Sequence, residues 1–325
     1  HITQIQKEQM KEKPEEYLSR LIPYFLVNKQ WPRVEFIERD GRKSPGIDAS
    51  GLSKDTLTTL VQALFSEGNP TLKVDEELKP VLDVNLDGKP IRPEDLLKWK
   101  ALGYIMGTAF KESFPTGSIF NLKVFETLKA AVLFDRDKDT IESLKMALAQ
   151  TLYKEEASQF DELEGFDVND LGDNIPSFID PIIALADGIK AILNEQELAT
   201  FAGLEPSAIQ DRIEGTLSAD AIIGKLEIRE KVSTEVKEFL STWIRERANK
   251  PEELKAFLIA VTSSPTISPK SDDIKISHRP DGFPKCHTCF NQLELPNVTS
   301  QEDFNNKMQE FFKLNSLTGS GFNDE

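Results

Sequence analysis

The chain has 325 residues, 39% of them hydrophobic and 29% charged, which is ordinary for a soluble globular protein of about two domains. Its net charge is −16, from 55 acidic and 39 basic residues, a field that repels phosphate backbones and anionic lipid heads, so no nucleic acid and no membrane is expected as a partner. Two cysteines three positions apart, Cys286 and Cys289, cannot staple a chain of this length, which excludes a disulfide scaffold and points to a reducing, cytoplasmic compartment.

In chain order, Glu15 to Val27 carries apolar residues at helical spacing and ends at Asn28. Val34 to Ile37 alternates like a short strand and runs into the turn-rich stretch Asp40 to Gly51. Ser53 is the expected cap of a helix whose stripe is Leu57, Leu60, Val61, Leu64 and Phe65. Pro80 to Pro93 reads as a strand hairpin around Asp87-Gly88. The spacing predicts helices over Asp95 to Phe110, with Gly103 and Gly107 leaving room for a close neighbour, and over Phe120 to Leu133. Between Asp135 and Asn174 there are twelve acidic residues against four basic ones, with a helical pattern over Lys138 to Ala157. Such a run is a solvated helical face more often than a docking surface for a basic partner.

Further helices are expected over Phe178 to Leu193, Glu205 to Gly215 and from Ser218. Gly224 to Val232 loses the apolar stripe and reads as a linker between two units. Beyond it come helices over Ser233 to Ala248 and Pro251 to Val261, the second opening with a proline where a missing N–H costs nothing. Strand-like runs at Ile274 to Ser277 and Phe290 to Leu295 flank the cysteines, and an amphipathic helix runs from Gln301 to Leu314. No apolar stretch is long enough to span a membrane, and no secretory signal opens the sequence. His1 in place of an initiator methionine reads as an excised or processed fragment.

The chemistry concentrates in Pro284-Lys285-Cys286-His287-Thr288-Cys289-Phe290-Asn291. A redox pair wants the first cysteine at a helix N-terminus, whereas the residues after Cys289 alternate like a strand. A zinc site would have to draw on His278, Cys286, His287 and Cys289, whose spacing does not wrap a tetrahedron. Both cysteines as small buried hydrophobes is the bland reading, poorly served by so polar a turn. The remaining reading is a nucleophile displayed on a loop between strands, whose thiolate attacks thioesters and passes an acyl group to an amine.

His287-Thr288-Cys289-Phe290-Asn291, followed by Leu293, Leu295-Pro296 and a polar start to a helix at Ser300, resembles the active-site loop of HECT-type E3 ubiquitin ligases. Similar stretches occur on both sides. Phe257-Leu258 with Val261-Thr262-Ser263-Ser264 are similar to the family's helix end and the loop that follows it, and Trp243 stands in the preceding helix where the family usually keeps a tryptophan. Val34-Glu35-Phe36, the Gly46-to-Leu52 turn with Ser50 where glycine is usual, and Leu102-Gly103 with Gly107 are similar to its opening part. Phe322, fourth from the end, stands where the family places a phenylalanine that assists transfer to lysine.

The resemblance implies an α+β, mostly helical, bilobal fold. Residues 1–224 form a large helical N-lobe that binds the E2, with a shortened E2-docking subdomain around 135–174. Residues 225–232 form a hinge, and residues 233–325 form a smaller α+β C-lobe. It implies that Cys289 accepts ubiquitin from an E2 conjugating enzyme as a thioester and passes it to a lysine of a protein substrate, supported by His287, Thr288 and Phe322, with no cofactor and no metal. Thr288 and Asn291 are further candidates for donors near the carbonyl oxygen, and Asp324 and Glu325 for a general base. Tyr153 and Phe160 are candidate exposed aromatics in the acidic segment, whose departure from the family pattern marks a divergent member, such as a microbe acting in host cytosol on host ubiquitin. Two other readings stay open: a cysteine protease or deubiquitinase with His278 or His287 as base, and a non-catalytic adaptor that binds ubiquitin or an E2.

Overall fold

A computed structural model describes residues 2–28, 30–37, 41–43, 51–66, 71–74, 76, 78, 80–81, 93–134, 143–144, 148, 176–229, 232–280 and 282–318. The described chain is mostly helical with small sheets, an α+β arrangement, and its buried apolar side chains fall into two clusters.

The first cluster is built by β1 (Ile2–Ile5), α1 (Lys7–Glu12), α2 (Pro14–Asn28), β2 (Arg33–Phe36), α3 (Gly51–Leu64), α4 (Pro93–Glu112), α5 (Leu122–Leu133), α6 (Pro176–Ile192), α7 (Glu195–Gly203) and α8 (Pro206–Ile213). The short pair β3 (Lys73–Val74) and β4 (Pro80–Val81) is antiparallel, and β1 lies parallel to β2. Helix α3 starts at Gly51, so Ser53 sits inside its first turn and is not its cap. The stripe expected from it is buried at Leu57, Leu60, Val61 and Leu64. Helix α4 crosses α6 so closely that their glycines interlock, as the spacing of Gly103 and Gly107 anticipates. Helix α7 escaped the apolar-stripe reading because only Phe201 of its residues is buried. Its start is set by a capping box in which Asn194 accepts from the Glu197 N–H and Glu197 accepts from the Asn194 N–H.

The second cluster joins α9 (Ala219–Gly224), β5 (Leu226–Ile228), α10 (Thr234–Arg245), α11 (Pro251–Thr262), β6 (Ile274–His278), β7 (Lys285–His287), β8 (Gln292–Leu295) and α12 (Gln301–Thr318). The four strands run in the order β5-β6-β8-β7, with β7 antiparallel to β8 and the other neighbours parallel. Alternation decides the buried face: Ile274 and Ile276, Cys286, and Leu293 and Leu295 point inward. Trp243 on α10 stacks on Phe312 at 5.8 Å between ring centroids and carries the Arg247 guanidinium 3.9 Å from its own centroid.

The stretch expected as a linker, Gly224 to Val232, contains β5, with Leu226 buried and paired to Ile274. Alternating charges mask a three-residue strand because only Leu226 needs the core. The chain passes from one cluster to the other earlier, between Ile213 and Leu217. There, Thr116 N–H donates to Ile213 O at 2.9 Å, and Thr216 and Ile267 exchange backbone bonds of 2.8 and 3.0 Å.

Of the acidic segment, only residues 143, 144 and 148 are described, and Leu144 and Leu148 are buried in the first cluster. Tyr153 and Phe160, the turn from Gly46 to Ser50, the hairpin beyond Val81, and Phe322, Asp324 and Glu325 lie outside the described residues. Among the described residues no helix is long and apolar enough to cross a membrane.

Candidate active site

Cys289 occupies the middle of a 3₁₀ turn, Thr288–Phe290, between β7 and β8. His287 pairs with Gln292 in the ladder, so residues 288 to 291 form the connection of a tight hairpin. Its shape follows from Asn291, which takes the left-handed conformation at φ 48° and ψ 47°, a region that asparagine tolerates better than most residues. The Asn291 N–H donates to Thr288 O at 3.3 Å and its carbonyl accepts from the Lys275 N–H at 2.8 Å, which fixes the turn to β6. The strand expected from Phe290 therefore starts at Gln292.

The hairpin separates the two thiols. Cys286 is on the inward face of β7 opposite Leu293, 2% exposed, and burial pushes its thiol well above the ordinary cysteine range. Cys289 forms no disulfide and is half-buried, and Phe290 beside it is 58% exposed. Nucleophilic chemistry is thus open to Cys289 and closed to Cys286.

The histidines are held away from each other. His287 Nε2 lies 3.4 Å from Glu294 Oε1 on the outer face of the sheet. His278 Nε2 lies 2.9 Å from Asn297 Oδ1, at the end of β6 paired with Leu295, whereas His287 pairs with Gln292 at the other end of β8. Thr288 contributes its backbone carbonyl to the turn.

Behind the turn lies a small cleft lined by Lys54, Ser113, Thr262, Ser264, Asp272 and Asn291, among others. The Asn291 side chain is 3% exposed, and its Oδ1 is buried without a hydrogen-bond partner. Helix α3 packs on the cysteine turn from the first cluster, and Thr58 Oγ1, one helical turn after Lys54, donates to Ser263 O at 3.3 Å. Lys54 is 7% exposed, with Nζ 5.4 Å from the centroid of Phe114. Burial lowers its pKa, opposed first by Asp272 and then by Cys289. Lys54 and Asp272 carry no sequence signal that separates them from other surface charges, since only folding brings α3 to a loop more than two hundred residues away.

Comparison with curated proteins returns no match. The family model described as HECT-domain (ubiquitin-transferase) matches residues 175–313, a segment that contains the whole second cluster except the end of α12, together with the cysteine hairpin. Residues 175–313, with the cysteine hairpin inside them, are thus similar to the HECT domain of ubiquitin transferases.

Proposed function

We propose that this chain is the catalytic region of an E3 ubiquitin ligase that takes ubiquitin from an E2 conjugating enzyme as a thioester on Cys289 and passes it to a lysine of a protein substrate. The observation that carries this reading is the contrast within the hairpin: one thiol is offered at its tip while its neighbour is sealed in the core.

The chemistry is two acyl transfers. The Cys289 thiolate attacks the carbonyl carbon of the E2 thioester, a new C–S bond forms, and the E2 sulfur leaves as thiolate. The neutral amine of a substrate lysine then attacks the same carbon. The bond to Cys289 sulfur breaks, the nitrogen gives up a proton, and an amide remains. Neither step needs a metal or organic cofactor. His287, engaged by Glu294, holds the outer edge of the hairpin. Thr288 supports the turn, and Phe322 assists the second transfer.

The nucleophile must face the E2 first and the substrate later, so the two hydrophobic units act as lobes of a bilobal enzyme that reorient between the steps. The segment between Ile213 and Leu217 is the pivot that fits this best, ahead of the 225–232 stretch that the sequence suggests. A cysteine that must stay free suits a cytoplasmic setting.

The test is incubation with E1, a panel of E2s, ATP and labelled ubiquitin, resolved with and without reductant. A reductant-sensitive adduct that disappears in Cys289→Ala and persists in Cys286→Ala is expected. No adduct with any E2, from protein shown to be folded, would overturn the assignment in favour of a binding role.

A further inference from the structure

The segment from Ser263 to Thr266, which follows α11, is held against the first hydrophobic unit at three points. Thr58 Oγ1 on α3 donates to Ser263 O at 3.3 Å, and Thr266 Oγ1 donates to Glu214 O. Between them, Pro265 lies so close to Gly117 that a β-carbon there would stand 2.9 Å from its Cγ. Thr58, Ser263, Thr266 and Glu214 are all buried. The cysteine turn is packed on both α3 and α11, so this segment also fixes the turn against α3.

The same contact carries costs. Among the described residues, four other than glycine have positive φ, and three of them border it: Ser113 at 59°, Ser263 at 60° and Asn291 at 48°. Such conformations persist only where the surroundings impose them. Lys54 and the Asn291 Oδ1, which has no hydrogen-bond partner, are buried in the cleft behind the turn. An ammonium and an orphaned acceptor each give up hydration that separation of the units would restore. Two neutral hydrogen bonds, each weak on balance against water, therefore hold a contact that desolvation opposes. A polar contact of this kind between units is one that opens.

We propose that this contact is an autoinhibitory latch: it holds the cysteine turn against α3 and has to open before a protein thioester reaches Cys289. This deepens the reading of Cys289 as the acyl acceptor and rests on it. Exchange between two protein thiols requires the surface around the E2 sulfur to come down on the turn. In the latched arrangement the turn is packed between two helices and its cysteine is half-buried. Opening breaks the Thr58 and Thr266 hydrogen bonds, and water takes over Ser263 O and Glu214 O. The population of the open form then sets how fast Cys289 is met, and each lost latch bond raises that population.

The experiment compares Thr58→Val, Thr58→Ser and Thr266→Val on the full chain in a Cys286→Ala background, so that Cys289 is the only thiol. Alkylation by iodoacetamide is followed by intact mass at the alkaline plateau of its pH profile, where the thiol is ionised and exposure rather than acidity is read. Each valine removes one hydroxyl donor at nearly constant shape, and is expected to speed alkylation about three- to tenfold, with a parallel gain in thioester formation from E2~ubiquitin. Thr58→Ser keeps the donor and should stay close to the wild-type rate. Thr266→Val acts from the opposite side of the contact and keeps the test decisive if Thr58→Val fails to fold. Unchanged or slower alkylation in the folded valine variants would overturn the latch, as would faster alkylation joined to slower thioester formation. Alkylation involves no ubiquitin. Faster alkylation with no thioester in any variant leaves the latch standing and removes the ligase reading, and thioester formation with unchanged alkylation does the reverse.

Discussion

Gly103 and Gly188 meet across the α4–α6 crossing with no room for a side chain on either. A β-carbon on Gly103 would lie 2.2 Å from Leu185 O, and one on Gly188 would lie 2.2 Å from Lys100 O. The obstacles are backbone atoms of helices, which cannot yield without separating the pair. Either Gly→Ala change is expected to cost about 3 kcal/mol or to prevent folding. Gly107→Ala should cost less, because its nearest obstacle is the Ile192 side chain at 3.1 Å. Gly203, with nothing within 4 Å, should tolerate alanine or gain slightly from it. Urea denaturation of the four variants checks the order, and equal midpoints would refute the close crossing.

Glu214 is the buried acid where the chain leaves the first cluster. Its Oε1 accepts from the N–H groups of Ile119 at 3.0 Å and Phe120 at 2.7 Å, and Gln210 donates to Oε2 at 3.0 Å. Burial outweighs these donors and pushes its pKa up to about 7 from 4.5. The folded state therefore holds the proton more tightly than the unfolded chain. This stabilising contribution is complete below the unfolded value of 4.5 and is lost as pH rises through about 7. Its size is about 3 kcal/mol. Stability of the wild type should fall between about pH 5 and about pH 7.5. Glu214→Gln, which keeps an oxygen for Ile119 and Phe120, should remove most of that slope. Denaturation midpoints at the two pH values provide the measurement, and parallel slopes in the two proteins would contradict it.

The parts of this fold that the sequence revealed are those in which the deciding forces are local. Apolar residues at helical spacing marked α2, α4, α5 and α6, and Pro251 marked the start of α11, because each face buries as a continuous stripe. The strands β5 and β7 were missed because three residues with a single buried side chain, Leu226 or Cys286, leave no period to detect. Cys289 was visible through the residues around it. Lys54 and Asp272 were not, because their proximity depends on how α3 docks on the second cluster. Helical spacing in α3 showed which of its residues are buried, and nothing in it showed what Lys54 would meet.

Phe290 follows Cys289 with more than half of its surface in solvent. It gives the fold little, so Phe290→Ala should change stability by less than about 0.5 kcal/mol. An exposed aromatic beside the proposed nucleophile is a natural contact for an incoming protein, and truncating such a contact typically costs about 1–2 kcal/mol of binding. Thioester formation at subsaturating E2~ubiquitin should therefore slow by about tenfold while the iodoacetamide reactivity of Cys289 stays at the wild-type level. Unchanged thioester rates would remove Phe290 from the docking surface.

Asn291 offers a test of whether the turn itself presents Cys289, the proposed nucleophile. At φ 48° a β-carbon costs roughly 1 kcal/mol, a penalty that glycine escapes and that rises for a β-branched side chain. Ordinarily alanine stabilises relative to glycine by limiting the unfolded chain. Here the order should invert, with Asn291→Gly more stable than Asn291→Ala by about 1 kcal/mol and Asn291→Val the weakest of the three. Loading of Cys289 should follow the same order, because a residue that rejects the left-handed region pulls Gln292 out of register with His287 and flattens the 3₁₀ turn. Equilibrium denaturation and the rate of thioester formation, measured on the same preparations, separate the two consequences. If stability inverts but loading is equal across the series, the hairpin needs Asn291 for its fold, and the position of Cys289 is set by its contacts with α3.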